Sequence, residues 1–600
     1  VVRGDVQLVK VREGDMAALA GVPFLVTSET TGEAHVVVTG PDGGFDSSAS
    51  PHSSSTNAND DAYDASAGTV DDAMLDASAG TWFSGAETGG APADDSRGAL
   101  PYDAYTMVEL PCAANAGLRM VTLRFTVAAD KVKVDLGTVA DRAAPALATE
   151  LLDADGGHDA YAMGQAILTD RVDYGHFDAG DYTAVLELVL DDGTPLLDAE
   201  GDPVGATVAF TAEGESGTFE ASASFDCSAL AGRSVTAFET VYAPDGTAVA
   251  SHRDLADRGQ TVTFHGLPSL STTLAGEGGE KVVAAEGGRV TLVDTVAYEG
   301  LVPGRAYTLA GALMDKLTGE ALLDAEGNPV TASAEISPTE ASGAATVTFA
   351  VDEAVASGRG LVAFETLSAG GTVLASHADI DDGAQTAWAP AIGTALADAA
   401  SGTRMAVAAE GASLVDTVSW SGLMPGETYT LSGTLMDKET GEALLDAEGN
   451  PVTASTEFAA EAPSGTAAVT FAVDAAALAG RTVVAFERLE LGGSAVASHE
   501  DIGDEAQSVR FPRLETEFAQ TDGSHAVLGE GTHDLVDTVS WSNLAAGAQY
   551  RLVCTLADPE TGEHLRHPET GEKYEASADF TAEGESGRTQ VAFPGLTGLT

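Results

Sequence analysis

Tyr307-Thr308-Leu309-Ala310-Gly311-Ala312-Leu313 and Thr346-Val347-Thr348-Phe349-Ala350-Val351 alternate apolar with small or polar residues, the period of a half-buried strand. Val302-Pro303-Gly304 and Asp324-Ala325-Glu326-Gly327-Asn328-Pro329 punctuate these runs with turn residues. Helical periodicity is confined to short alanine-rich pieces. Many short strands separated by turns predict an all-β fold, built from immunoglobulin-like β-sandwich modules.

The same passage is written more than once. Leu292-Val293-Asp294-Thr295-Val296, Leu313-Met314-Asp315-Lys316, Val362-Ala363-Phe364-Glu365, Ser376-His377-Ala378-Asp379 and Gln385 return as Leu414-Val415-Asp416-Thr417-Val418, Leu435-Met436-Asp437-Lys438, Val484-Ala485-Phe486-Glu487, Ser498-His499-Glu500-Asp501 and Gln507. A period of roughly 120 residues in a chain of this length implies tandem domains of ordinary size rather than one core. The expected modules are 144–266, 267–389, 390–511 and 512–600, the last of them cut short at Thr600. Residues 1–143 do not follow the repeat. They open on an alternating strand, Asp5 to Val11, and carry a polar insertion at about 47–100, most of it between Ser47 and Arg97. Its Ser, Asp, Ala and Gly content predicts a long, partly disordered loop.

The net charge of −65, from 93 acidic and 28 basic residues, would repel a phosphate backbone or an anionic lipid surface, so nucleic acid and membrane partners are not expected. Apolar residues make up 44% of the chain in short alternating runs, which separates it from an acidic disordered tail. Cys112, Cys227 and Cys554 fall in different modules without recurring partners, so isolated thiols are expected rather than a disulfide framework. No apolar run is long enough for a transmembrane helix, and Val1-Val2-Arg3-Gly4-Asp5 is unlike a signal peptide. The sequence therefore reads as a segment of a longer, exported protein whose leader and anchor lie outside it. Its expected form is a monomeric, extended, self-repelling stalk.

Thr295, Asp315, Glu365, His377 and Gln385 are the recurring polar residues that could do chemistry together. A threonine hydroxyl is a weak nucleophile and a carboxamide a poor electrophile. Joining them needs a base, an acid for departing ammonia and a dry site. A histidine beside two carboxyls supplies these parts, because neighbouring carboxyls resist double ionisation and one keeps its proton. In a Greek-key sandwich the first and last strands can be neighbours, so the product would be an ester tying the ends of a module. Read singly, each residue is also an ordinary strand or turn residue.

Val-Ala-Phe-Glu at 362–365 and 484–487, followed by Ser-His-x-Asp and a glutamine, resembles the VaFE repeat of Gram-positive surface-anchored proteins, the Thr-Gln ester-bond domain of adhesins. The resemblance spans about 144–600 and implies autocatalytic esters Thr295–Gln385, assisted by Asp315, Glu365 and His377, and Thr417–Gln507, assisted by Asp437, Glu487 and His499. In the first copy Arg171 stands at the expected threonine position, although Asp191, Glu239, His252 and Gln260 are present. No ester is expected there. Thr169 is two rises away, ~6.6 Å, and Arg171 could pair with Glu239 or Asp191 instead. The fourth copy supplies Thr538 and Asp558. Residues 1–143 resemble CnaB-like domains, which implies an isopeptide bond from Lys10, assisted by Glu109, with Asp135 as the candidate acceptor.

Arg3-Gly4-Asp5 precedes a strand and reads as its beginning rather than as an integrin tripeptide. The acidic turns at 153–157, 324–328 and 446–450 lack the full ligand series of a calcium loop. No cofactor or metal site is expected, and phosphate loops, zinc spacing and esterase elbows are missing from the sequence. The function read from these features is a cell-wall-anchored adhesin or pilus-like stalk with self-made cross-links and an unknown surface ligand. The alternatives are a ligand- or carbohydrate-binding module without cross-links, and a hydrolase, against which the repetition of the site argues.

Overall fold

The computed structural model describes residues 2–48, 56–85, 96–525 and 531–597. The chain divides into two units, Val1–Gly266 and Leu267–Thr600.

In the second unit, the strand Arg289–Glu299 shows how the sequence makes a sheet. Val290, Leu292, Asp294, Val296 and Tyr298 point inward and the alternate positions outward. Each buried aliphatic side chain contributes roughly 1.5–3 kcal/mol, so the phase of the strand is strongly fixed. This strand lies between Ser269–Ala275 and Gly343–Asp352 in a three-stranded antiparallel sheet. A second sheet runs Thr331–Ile336, Tyr307–Asp315, Arg359–Ala369, Thr372–His377, with Thr386–Ala389 also on Arg359–Ala369. On Tyr307–Asp315 the inward row is Tyr307, Leu309, Gly311, Leu313 and Asp315. A glycine thus occupies a core position.

The next repeat has the same plan. Ala391–Asp398, Ala412–Ser421 and Gly465–Val473 form one sheet; Thr453–Ala459, Thr428–Asp437, Thr482–Leu491, Ser494–His499 and Ser508–Arg510 form the other. The last repeat pairs Arg513–Gln520, His533–Ser542 and Gly587–Leu596, with Gln549–Thr555 and Glu575–Thr581 as a two-stranded sheet.

In the first unit, Ala146–Leu152, Gln165–Gly175 and Ser216–Asp226 form the three-stranded sheet of the first repeat. Its larger sheet centres on Gly180–Leu190 and Arg233–Tyr242. Ahead of it, Arg3–Arg12 pairs in parallel with Lys133–Asp141, and a separate sheet runs Ala34–Val38, Pro23–Ser28, Asp103–Glu109, Thr122–Val127. Arg3 is 1% exposed, donates Nε to the Gly98 carbonyl at 3.0 Å and lies 3.6 Å over the Trp82 ring, so the Arg-Gly-Asp triplet is built into the fold.

The insertion is more ordered than its composition predicts. Residues 56–85 hold two 3-10 turns, Ala58–Ala62 and Asp72–Met74, and a small hairpin of Tyr63–Asp64 with Thr69–Val70. Side-chain to backbone bonds do this work: Asn57 bonds both backbone groups of Trp82 at 2.8 and 2.9 Å, and Asp60 accepts from the Val36 amide at 2.8 Å. The rest of the expected loop, 49–55 and 86–95, lies outside the described residues.

Candidate cross-link sites

The buried glutamine Gln385 marks the site in the second repeat. Its amide nitrogen lies 2.7 Å from the Thr272 hydroxyl oxygen, with both side chains buried. Thr272 is on Ser269–Ala275, and the Leu274 amide donates to the Ala384 carbonyl at 3.0 Å, which fixes that strand beside Gln385. Lys281 adds a second tie, donating to the carbonyls of Leu274 and Ala384 at 2.5 Å each. The third repeat reproduces the contact: Gln507 Nε2 to Thr394 Oγ1 is 2.7 Å, and the Leu396 amide donates to Ala506 at 3.0 Å.

Two carboxyls complete the chamber. Asp294 and Glu365 are fully buried and close enough that each acts on the other's ionisation. Burial and the charge of Asp294 push Glu365 up to about 9, so Glu365 keeps its proton. Burial also raises Asp294, but Glu365, the Thr272 hydroxyl, the Thr273 backbone and Lys281 favour its charged form. Asp294 is therefore the member that ionises. Asp416 and Glu487 divide in the same way, with Glu487 pushed up to about 9 by burial and Asp416, and with Thr394 and His499 favouring the charged Asp416.

His377 stands directly across the strands from Glu365, and His499 from Glu487. Each imidazole is held by a carboxylate that the sequence reading did not single out: Asp382 at 3.2 Å from His377 Nε2, and Asp504 at 3.2 Å from His499 Nε2.

Several expected residues lie elsewhere. Thr295 and Thr417 are exposed on the outer face, because they sit one residue out of phase with the inward Asp294 and Asp416. Neither can reach its glutamine. Asp315 accepts from the Leu317 and Thr318 amides at 2.9 and 3.1 Å and pairs with Arg359; burial pushes its carboxyl up, but Arg359 and these amides outweigh that and hold it low. Asp437 accepts from the Glu439 and Thr440 amides at 3.0 and 3.1 Å and faces Arg481. Both are turn anchors. In the last repeat Thr538 faces away from the inward Asp537 and accepts from Gln590 at 3.2 Å, Asp558 caps a turn at the Glu560 amide, 2.8 Å away, and Thr516 holds the register of Thr272.

The first repeat also changes. Arg171 occupies the position of Thr295 rather than that of a nucleophile, and pairs with Glu220 at 3.2 Å on the surface instead of with Glu239 or Asp191. Asp191 pairs with Arg233. The register of Thr272 belongs to Thr149, and Asp170, Glu239, His252 and Gln260 take the places of Asp294, Glu365, His377 and Gln385. Burial and Asp170 push Glu239 up to about 10. Gln260, however, donates to Glu239 at 2.8 Å, and the buried Thr149 hydroxyl has no partner.

A family described as the T-Q ester bond containing domain matches residues 145–264, 268–389, 390–511 and 512–598. The chain belongs to this family. Four tandem T-Q domains thus account for most of its length. No curated protein matches the chain. Among solved structures, an adhesin from Mobiluncus mulieris with disulfide, isopeptide and ester cross-links is 14% identical over 44% of this chain and 89% of its own, with a TM-score of 0.19. The full-length major pilin SpaD from Corynebacterium diphtheriae is 12% identical over 62% and 91%, with a TM-score of 0.23. A 1.5-MDa bacterial ice-binding adhesin is 14% identical over 59% and 95%, also at 0.23. At these scores the three carry no argument about function.

A second chamber lies ahead of the T-Q domains. Lys10 is inward with Val6 and Leu8; its ammonium is 2.9 Å from Glu109 Oε2 and pairs with Asp141, all three side chains being fully buried. Asn115 donates to Glu109 at 2.8 Å and the Val121 amide does so at 3.0 Å. Burial raises Asp141 to about 6, against the pull of Lys10 and with the help of Glu109. Asp135, the expected acceptor, is exposed opposite Gln7 and accepts from the Gly137 amide at 2.8 Å. The parallel register sets Lys10 against Val139, near Asp141 at the strand end. Among the described residues no grouping of His, Cys, Asp and Glu could hold a metal ion, and no helix is long and apolar enough to cross a membrane.

Proposed function

We propose that the chain is part of an extracellular, cell-wall-anchored adhesin or pilus-like stalk, whose modules at about 1–143, 144–266, 267–389, 390–511 and 512–600 include some that lock themselves covalently. The observation that carries this reading is the Thr272–Gln385 contact beside a half-protonated carboxyl pair, repeated at Thr394–Gln507. Asp294 takes the Thr272 proton as the hydroxyl oxygen attacks the Gln385 carboxamide carbon. The protonated Glu365 donates as the tetrahedral centre collapses. The C–N bond breaks, ammonia leaves and a Thr–Gln ester remains. Lys281 favours the charged Asp294 during the exchange, and His499 does the same for Asp416 in the third repeat. Each site reacts once upon itself, so no turnover is implied.

In the N-terminal module Lys10 passes a proton to Glu109, its amine attacks the protonated Asp141 carboxyl, and water leaves to give an isopeptide bond. The surface ligand is a partner of unspecified chemistry, and no cofactor takes part. Intact mass of the full chain tests this. The expected deficit is two ammonias and one water; Thr272→Ala and Thr394→Ala should each restore one ammonia, while Thr295→Ala and Thr417→Ala restore none. A mass equal to the plain sequence would refute it.

A further inference from the structure

Among the three repeats that carry a glutamate and a glutamine, the first departs from the other two at two core positions. Gly311 lies directly opposite Glu365 and Gly433 opposite Glu487, whereas Leu186 lies opposite Glu239. A Cβ built on Gly311 would overlap Glu365 Oε1 and the tip of the Phe349 ring, and one on Gly433 would overlap Glu487 Oε1 and Phe471. The glutamate of the second and third repeats therefore occupies space that exists only because the facing residue has no side chain. In the first repeat the phenylalanine is replaced as well: Phe349 pairs with Leu292 and Phe471 with Leu414, while the matching partner of Leu168 is Ala223. Leu186 and Ala223 are both buried in the core, a size-conserving exchange for glycine and phenylalanine. It fills the core but leaves no room for the glutamate where the other repeats hold it.

The consequences are visible in the same repeat. Glu239 takes the Gln260 amide, the Thr149 hydroxyl loses its glutamine, and Leu151 makes no bond matching Leu274 to Ala384. Thr149 also has no part in favouring charge on Asp170, unlike Thr272 and Thr394 at their aspartates.

We propose that the glycine facing the glutamate is a positioning residue for ester formation, and that Leu186 with Ala223 keeps the first repeat unlocked although Thr149, Asp170, Glu239, His252 and Gln260 are all present. This rests on the ester reading of the second and third repeats. A chain built this way carries an extensible module in series with locked ones.

Peptide mapping by mass spectrometry of the full chain, with intact mass, tests it. In the native chain Thr272–Gln385 and Thr394–Gln507 cross-links should be found and Thr149–Gln260 should not. The Leu186→Gly/Ala223→Phe variant should lose one more ammonia and yield a Thr149–Gln260 cross-linked peptide in most molecules. Adding Thr149→Ala should abolish that gain, which a purely structural role for the glycine would not produce. The reciprocal Gly311→Leu/Phe349→Ala variant should lose the Thr272–Gln385 ester and keep the Thr394–Gln507 one. A native Thr149–Gln260 ester, or an intact Thr272–Gln385 ester in the reciprocal variant, overturns the proposal. If the first swap unfolds its repeat, the reciprocal variant decides. Absence of the esters in the second and third repeats refutes the parent reading instead.

Discussion

Replacing Thr272 by alanine removes the nucleophile, and the thermodynamic cost follows from the loop that its ester closes. Thr272 and Gln385 are 113 residues apart. Chain entropy gives a cross-link over such a loop ~16 cal/mol/K, about 4.8 kcal/mol at 25 °C, through restriction of the unfolded chain. Loss of the buried hydroxyl adds about 1 kcal/mol. A repeat of roughly 120 residues unfolds with an entropy of ~250 cal/mol/K, so its transition should fall by roughly 20 °C. Scanning calorimetry of the full chain should show one transition moving while that of the third repeat stays. The intact mass should rise by one ammonia relative to the simple side-chain difference. Thr272→Ser, which keeps a hydroxyl, should retain the ester and most of the stability. A Thr272→Ala shift of only the few degrees due to the lost hydroxyl, or a mass without the retained ammonia, would refute the reasoning.

Cross-linking should depend on pH through Glu365, whose folded-state pKa of about 9 exceeds its unfolded value. The folded state binds the extra proton, so in the uncross-linked Thr272→Ala chain the contribution of Glu365 to the stability of the second repeat should be full below about pH 4.5 and be lost as pH rises toward 9. Ammonia release after refolding of the parent chain should slow over the upper part of the same range; a rate unchanged above pH 9 would contradict the assigned proton. Asp141→Ala should abolish the loss of water expected for Lys10 and Asp135→Ala should leave it, as intact mass would show. Thr295→Ala should change stability by less than about 0.5 kcal/mol as an exposed substitution. Asp315→Ala should cost about 1–2 kcal/mol as a lost turn anchor, with the ammonia deficit intact; loss of the ester in either variant would show that the outer-face threonine or the turn aspartate takes part.

Much of the site is legible in the sequence. Glu365, His377 and Gln385 are marked by their recurrence, and the fold brings the three to neighbouring strands. The error lay in the strand phase. In Leu292-Val293-Asp294-Thr295-Val296 the aspartate, not the threonine, shares the inward face with Leu292 and Val296. A strict period of two would have selected Asp294 and sent the search for a hydroxyl one strand upstream. There Leu270-x-Thr272-x-Leu274 recurs as Ile392-x-Thr394-x-Leu396 and Leu147-x-Thr149-x-Leu151. Asp382 and Asp504 had a weaker signal, a fixed distance after each histidine.

By itself, the sequence determined the all-β class, the repeat and the residue types of the cross-linking set, because alternation and repetition are properties of the chain read in order. Tertiary structure alone decided which threonine meets which glutamine, that Lys10 faces Asp141 rather than Asp135, and that Gly311 opens the space Leu186 closes. These depend on register between strands far apart in the chain. One residue of register turns a buried group into an exposed one, and no local pattern around Thr149 announces what lies across the sheet from Glu239.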